Sequence, residues 1–271
     1  MIRRPAVAGM FYPSDRISLR KVVDSYISDS GMEPEEGVTG IVSPHAGYVY
    51  SGAVAGAAFA RAPQDIDTVV LVAPPHRYPV RGASVFDGEG CQTPLGTVEV
   101  NQEAVVRLIE GGCSFQPQAH GSEHSAEVQI PFVQVKWPDA RIVVILQGDP
   151  SSEFSAELAG RVVQALENVE RGLLVASSDL SHYHSQEAAR EKDTRIMKAF
   201  ASGDPRELKK AVSSGGEACG IGPMSTLMHY AGLTGSGRFE KLMWTTSAET
   251  SGDRSSVVGY FAGCCVKGDG E

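Results

Sequence analysis

The sequence predicts an α/β fold: a mostly parallel or mixed central sheet covered by helices on both faces. Two observations carry the prediction. Strand-like apolar runs alternate with stretches of helical periodicity over most of the 271 residues, the pattern that buries a parallel sheet on both faces. Three of the apolar runs also end alike: Ile41-Val42-Ser43-Pro44 leads to His45, Leu71-Val72-Ala73-Pro74-Pro75 to His76, and Val175-Ala176-Ser177-Ser178-Asp179 to His182. Each run has strand length and strand composition. As parallel neighbours they would bring three histidines to the crevice outside the carboxyl ends of the strands, where open α/β sheets bind ligands.

In chain order, residues 3–13 form a mixed apolar stretch closed by Pro13, and Ser14-Asp15 caps a helix over about 17–28. A polar, acidic link (31–37) leads to the strand before His45. Residues 51–61 are alanine-rich and suit a helix packed close to the sheet. After the strand into His76, residues 80–100 break at Gly82, Gly88, Gly90, Pro94 and Gly96 into short β-like pieces, read as edge hairpins. Val105, Val106, Leu108 and Ile109 space a helix over 101–111 that stops at a Gly-Gly pair. Glu123, His124 and Glu127 open a further helix. Residues 141–146 are a strand, helices follow over 152–168, 185–200 and 204–212, and the glycine-rich loop 215–223 opens a helix at Met224. Residues 239–246 and 255–266 close the chain as β-like runs. No repeat or break in composition marks a boundary, so residues 1–271 are expected to form a single domain.

Bulk composition excludes several function classes. With 24 basic and 33 acidic residues the formal charge is −9, and no basic cluster offers the footprint that nucleic acid or an anionic membrane requires. No leader-like segment or bilayer-length apolar run is visible, and a cytoplasmic location is expected. The five cysteines show no CxxC spacing, which argues against a disulfide framework or a structural zinc site. No nucleotide cofactor is expected.

His45 and His76 are candidate metal ligands, because neutral imidazole binds iron, copper and zinc and two ligands leave positions open for substrate; the alternative is a pair of satisfied loop histidines. Asp179, three residues before His182, could orient its imidazole for proton transfer, or could cap the following helix. His184 reads as peripheral. Cys219 lies ahead of a helix, whose N-terminus lowers a thiol pKa; otherwise it is a small core residue. Glu123, His124 and Glu127 could hydrogen-bond around a site, or supply a negative first helical turn. His120 and His229 have no constellation around them.

Taken together, Pro44-His45-Ala46-Gly47-Tyr48-Val49-Tyr50-Ser51-Gly52, Pro74-Pro75-His76, Glu123-His124-Ser125-Ala126-Glu127, Ser177-Ser178-Asp179-Leu180-Ser181-His182 and Cys219-Gly220-Ile221-Gly222-Pro223 resemble the Memo-like family, whose microbial members are also called protein B of the AmmeMemoRadiSam system. Gly9-Met10-Phe11-Tyr12 fits its N-terminal pattern. The resemblance implies a fold similar to the class III extradiol ring-cleaving dioxygenases, which hold non-haem Fe(II) with two histidines and a glutamate. By position, His45 and His76 would be the imidazole ligands, His182 the acid–base histidine, and Cys219 would replace the carboxylate. A thiolate is softer than a carboxylate, so catechol cleavage does not follow. The resemblance also implies redox chemistry, a functional link to a radical-SAM protein in microbes and an adaptor role in animal cells.

Three functions are therefore weighed. The first is a metal enzyme with Fe(II), or else Cu or Zn, on His45, His76 and Cys219, with His182 and Asp179 handling protons and with His124, Glu123, Glu127 and Tyr48 around the site or its substrate. The second is a binding module that grips a peptide in the same cleft, lined by Tyr48, Tyr50, Trp137 and Trp244. The third is a Cys219–His182 hydrolase.

Overall fold

The structure is a computed structural model that describes residues 1–268. The N-terminal part runs β1 (Ile2–Arg3), α1 (Arg16–Ser28), β2 (Val38–Ser43), α2 (Tyr48–Arg61), β3 (Thr68–Ala73), β4 (Ala83–Val85), β5 (Gly90–Thr93) and β6 (Gly96–Glu99). Next come α3 (Gln102–Glu110), α4 (Pro117–Gly121), a 3-10 turn (Glu127–Gln129), α5 (Ile130–Lys136), β7 (Arg141–Gln147), α6 (Ser152–Ala165), β8 (Gly172–Ser177) and β9 (Asp179–His184). The chain continues through α7 (Gln186–Ala201), α8 (Pro205–Ser213), α9 (Ile221–Leu233), β10 (Ser236–Thr246), α10 (Ala248–Ser251) and β11 (Val257–Lys267).

The main sheet has the order β10-β11-β2-β8-β3-β7-β4, with β9 paired to β11. Its centre is parallel, β2 to β8 to β3 to β7, and its flanks are antiparallel. Every residue of β2 and β3 is buried, which explains why neither shows a polar–apolar alternation: a strand covered on both faces has no solvent side to encode. The main buried apolar cluster extends from Val7 to Val266, with a small second one of Ala189, Ala248 and Val257, and each fully buried Val, Leu or Ile contributes about 1.5–3 kcal/mol. Helices flank the sheet, and the small side chains of α2 let it approach α1 closely. A Cβ on Gly56 would stand 2.2 Å from the Tyr26 carbonyl oxygen.

The three histidine-bearing strands β2, β8 and β3 are immediate parallel neighbours, so their carboxyl ends lie side by side as expected. Elsewhere the structure departs from the sequence reading in local detail. The pieces around residues 80–100 are divided: β4 pairs with β7 at the sheet edge, whereas β5 and β6 form a hairpin that joins β1 in a separate sheet. Glu123 and His124 precede the helix rather than open it, because Glu123 spends its carboxylate on loop amides. Residues 179–184 are not a helix cap but the strand β9, held by pairing with β11 and by the Ser181 amide donating to Asp193 at 3.0 Å. Among the described residues no helix is long and apolar enough to cross a membrane.

Candidate metal centre

Each candidate ligand is delivered by a strand end or by the loop packed on one. His45 follows β2, His76 follows β3, and Cys219 sits in the loop before α9. That loop can lie against the end of β8 because residue 220 is glycine; a Cβ there would come 2.4 Å from the Ser177 carbonyl oxygen. One ligand atom from each of His45, His76 and Cys219 falls within 4.8 Å of the other two, and His76, Glu123 and His124 form a second such group. The His45 Nε2 to Cys219 Sγ distance is 3.3 Å. The rings of His45, His76 and His124 have centroids 4.9–5.7 Å apart.

Hydrogen-bond partners fix the tautomers. Ser177 Oγ donates its only proton to the Ser125 carbonyl at 2.7 Å and accepts from Gln129 Nε2 at 2.9 Å. Its remaining lone pair faces His45 Nδ1 at 2.8 Å, so that nitrogen must be the donor. His45 Nε2 is left with a lone pair directed at Cys219. His76 Nδ1 lies 3.3 Å from a Glu123 carboxylate oxygen, and His182 Nδ1 lies 2.8 Å from the Leu180 carbonyl. Both partners only accept, so both rings donate from Nδ1 and keep Nε2 free. An oriented imidazole with its second nitrogen hydrogen-bonded is the usual condition of a metal-binding or proton-transferring histidine.

Glu123 is a support rather than a ligand. Besides the His76 ring, it accepts the amides of His76, Arg77, His124 and Ser125, which occupies the lone pairs of both oxygens. Burial alone would raise its carboxyl, but the His124 side chain close beside it and the hydrogen bonds from His76 and Ser125 outweigh that and hold it well below the usual range. His124 is different: its Nδ1 is buried and has no hydrogen-bond partner. Although it lies 3.2 Å from Glu123 Oε1, it is not aligned for a bond. That nitrogen faces the Glu123 carboxylate, while the His124 ring stands beside those of His45 and His76.

Electrostatics place both His45 and Cys219 in their neutral forms. Burial, with the His76 and His124 rings adding, holds His45 well below the ordinary imidazole value. Burial, with Asp179 adding, pushes the Cys219 thiol up. The sequence reading expected the α9 N-terminus to lower that thiol; desolvation outweighs it.

Other candidates are placed differently from expectation. Asp179 Oδ1 accepts the His45 amide at 2.7 Å, and the His182 ring is oriented by Leu180 instead. Asp179 thus shapes the turn that carries His45. Cys219 pairs with His45 and not with His182. Glu127 is buried away from the cluster, bonded to Arg3, Ala6, Val7 and Tyr12. Tyr48 and Trp137 are core residues whose polar atoms donate to the Val128 and Pro63 carbonyls, Trp244 donates to Asp193, and of the four aromatics only Tyr50 is exposed. His184 bonds Glu217 and His229 bonds Ser152.

Sequence reasoning passed over Ser177, Gln129 and Tyr183. Gln129, fully buried between Val128 and Ile130, was detectable as a polar residue inside an apolar run. Tyr183, next to His182, is the only non-glycine described with a positive φ, 62°, and it is 78% exposed; such strain is concentrated at functional sites.

His120 is a core residue: its Nε2 meets Ser84 Oγ at 2.8 Å, and burial, with Arg3 adding, lowers its pKa from 6.5 to about 4. Below pH 6.5 the unfolded chain takes up a proton that the native ring refuses, so this stabilising contribution is present above that pH and is lost as pH falls toward 4. His45 acts with the same sign. Urea midpoints are expected to fall from pH 7 to pH 5, and to fall less in His120→Gln; equal slopes would remove His120 from the account.

A family model for Memo-like protein matches residues 3–264. A MEMO1 family protein of Methanothermobacter thermautotrophicus is 34% identical over 273 residues, covering 96% of this chain and 99% of that one. MEMO1 family proteins of Thermotoga sp. strain RQ2 and Methanosarcina barkeri are 35% and 36% identical, over 97% and 96% of this chain and 99% and 98% of theirs. Among solved structures, an uncharacterised protein of Escherichia coli K12 aligns over 97% of this chain and 98% of its own at 13% identity, with a TM-score of 0.48.

Proposed function

The chain belongs to the Memo-like family, and on that premise we propose that His45, His76 and Cys219 form a non-haem metal centre for oxygen-dependent or redox chemistry on a small molecule. The observation that carries this reading is the convergence of three soft or borderline donors from three separate parts of the chain. Two ligands about 2.0 and 2.3 Å from one ion at a tetrahedral angle lie roughly 3.5 Å apart, and His45 Nε2 and Cys219 Sγ are 3.3 Å apart. The donor set suits Fe(II), Cu or Zn. A bound iron or copper ion would supply one-electron and oxygen chemistry, and zinc would supply Lewis acidity.

The residues of the chain divide the remaining work. Ser177 and Glu123 hold the two ligand rings through Nδ1. His182, with Nδ1 committed to Leu180 and Nε2 free, is the group to accept or return a substrate proton. His124 offers a further lone pair or proton to whatever binds. Glu123→Gln is expected to weaken metal affinity by about 10- to 100-fold, the usual cost of losing an orienting partner. Isothermal titration of both proteins checks this, and unchanged affinity with an unchanged melting temperature would show that Glu123 does not tune the ligand.

A second reading, a peptide-binding module, is favoured by one observation: Met10, Tyr50, Tyr78 and Tyr183 are exposed large apolar side chains at chain positions close to Phe11, His45, His76 and His182. A partner bound equally by the wild type and by a His45→Ala/His76→Ala double variant would support it over the metal reading.

A further inference from the structure

Beside Cys219, over the carboxyl end of β7, lies a cavity of about 550 Å³, in the size range that takes a small organic molecule. Its walls are the turn between β7 and α6, the helix α8, and the loop and first residues of α9. In the sheet β7 adjoins β3, the strand that leads to His76, and Cys219 is the candidate ligand that the cavity shares with the histidine cluster. The lining is mainly apolar, with Pro150, Leu208, Val212 and Ile221 as its main surfaces. Ser225 also lines it, is 3% exposed, and has an Oγ with no hydrogen-bond partner. An unpaired buried hydroxyl costs free energy that a bound partner recovers. The charges on the lining are Asp149, Glu153 and Lys209. Lys209 faces Glu153 at 3.7 Å, so one carboxylate charge is left over and disfavours an anion.

We propose that this cavity is the substrate-binding chamber of the centre, and that it takes an uncharged or cationic, largely apolar small molecule with one hydrogen-bonding group for Ser225 and its reacting end toward Cys219. The inference rests on the metal-centre reading only for the identity of the reacting end. The surplus negative charge of Asp149 disfavours carboxylates and phosphates.

Fluorine NMR on the metal-free full chain tests it, with para-fluorophenol, para-fluorobenzylamine, para-fluorobenzoate and fluorobenzene as probes. The phenol and the amine are expected to bind, the benzoate at least about threefold more weakly. Ser225→Ala should weaken the phenol by about five- to tenfold, the worth of one neutral hydrogen bond, and leave fluorobenzene unchanged. Val212→Trp, at a position 40% exposed on α8, fills the chamber from its outer wall and should abolish binding of all probes. Equal or tighter benzoate binding overturns the proposal, as does probe binding that survives Val212→Trp in a folded variant, or no probe binding to the wild type. Metal titration of the same samples separates the two readings. Probe binding with no metal uptake removes the metal centre and keeps the chamber; metal uptake with no probe binding does the reverse.

Discussion

Anaerobic titration of the wild type with Fe(II) or Cu(I) is expected to saturate at about one ion per chain, with affinity lower by at least about 100-fold in His45→Ala, His76→Ala and Cys219→Ala. The size follows from a comparison: loss of an outer partner alone costs about 10- to 100-fold, and loss of a ligand costs no less. His45 is 2% exposed, so its deletion leaves a buried hole beside the remaining donors. Cys219→Glu should restore uptake of Fe(II) better than of Cu(I), since a carboxylate is the harder ligand. The buried thiol is protonated in the absence of an ion, whereas the histidine is already neutral. Binding should therefore release about one proton per ion, and affinity should rise with pH. A wild type that takes up no Fe(II), Cu or Zn would end the metal reading. Full uptake by Cys219→Ala would transfer the third position to another donor, such as a member of the neighbouring His76, Glu123 and His124 group.

The convergence of His45 and His76 was legible in the repeated strand-end histidines of the α/β alternation. Cys219 joined them only through the family resemblance, because the sequence does not show that Gly220 lets its loop lie against the end of β8. What could not be read was the division of labour inside the cluster. Asp179 and His182 are three residues apart, which suggested contact, but pairing of β9 with β11 turns the carboxylate toward the His45 amide and leaves Leu180 to hold the ring. Glu123 and Glu127 both looked like acids of one helical turn. They separate because residues 123–126 do not complete a helix, so one acid gathers loop amides beneath His76 and the other turns to the N-terminal segment. The thiol was misjudged because its helix terminus is visible in sequence and its burial among the strand ends is not.

Glu127→Ala is expected to be the most destabilising single truncation outside the apolar core, at about 3–5 kcal/mol, the cost of breaking a buried ion pair from one side. Its carboxylate is fully buried and lies 2.7 Å from Arg3, whose side chain is 7% exposed. It also takes the amides of Ala6 and Val7 at 2.8 and 3.0 Å and the Tyr12 hydroxyl at 2.6 Å. Removal would leave all four donors without that acceptor in a region closed to water. Glu127→Gln keeps the shape but offers one acceptor oxygen where the native group offers two, so its amide nitrogen must face donors; it should recover only part of the loss. The effect reaches the centre through the N-terminal segment. Phe11 packs against His124 with ring centroids 4.9 Å apart, and its carbonyl caps the Tyr48 amide at the start of α2 at 2.8 Å. Chemical denaturation measures the stability loss, and hydrogen exchange should show the amides of Ala6, Val7 and Tyr48 losing protection together. A variant with wild-type stability would mean that the N-terminal segment is held by its apolar contacts alone. Loss of stability with unchanged exchange at Tyr48 would mean that the clamp supports the core without forming the wall of the metal centre.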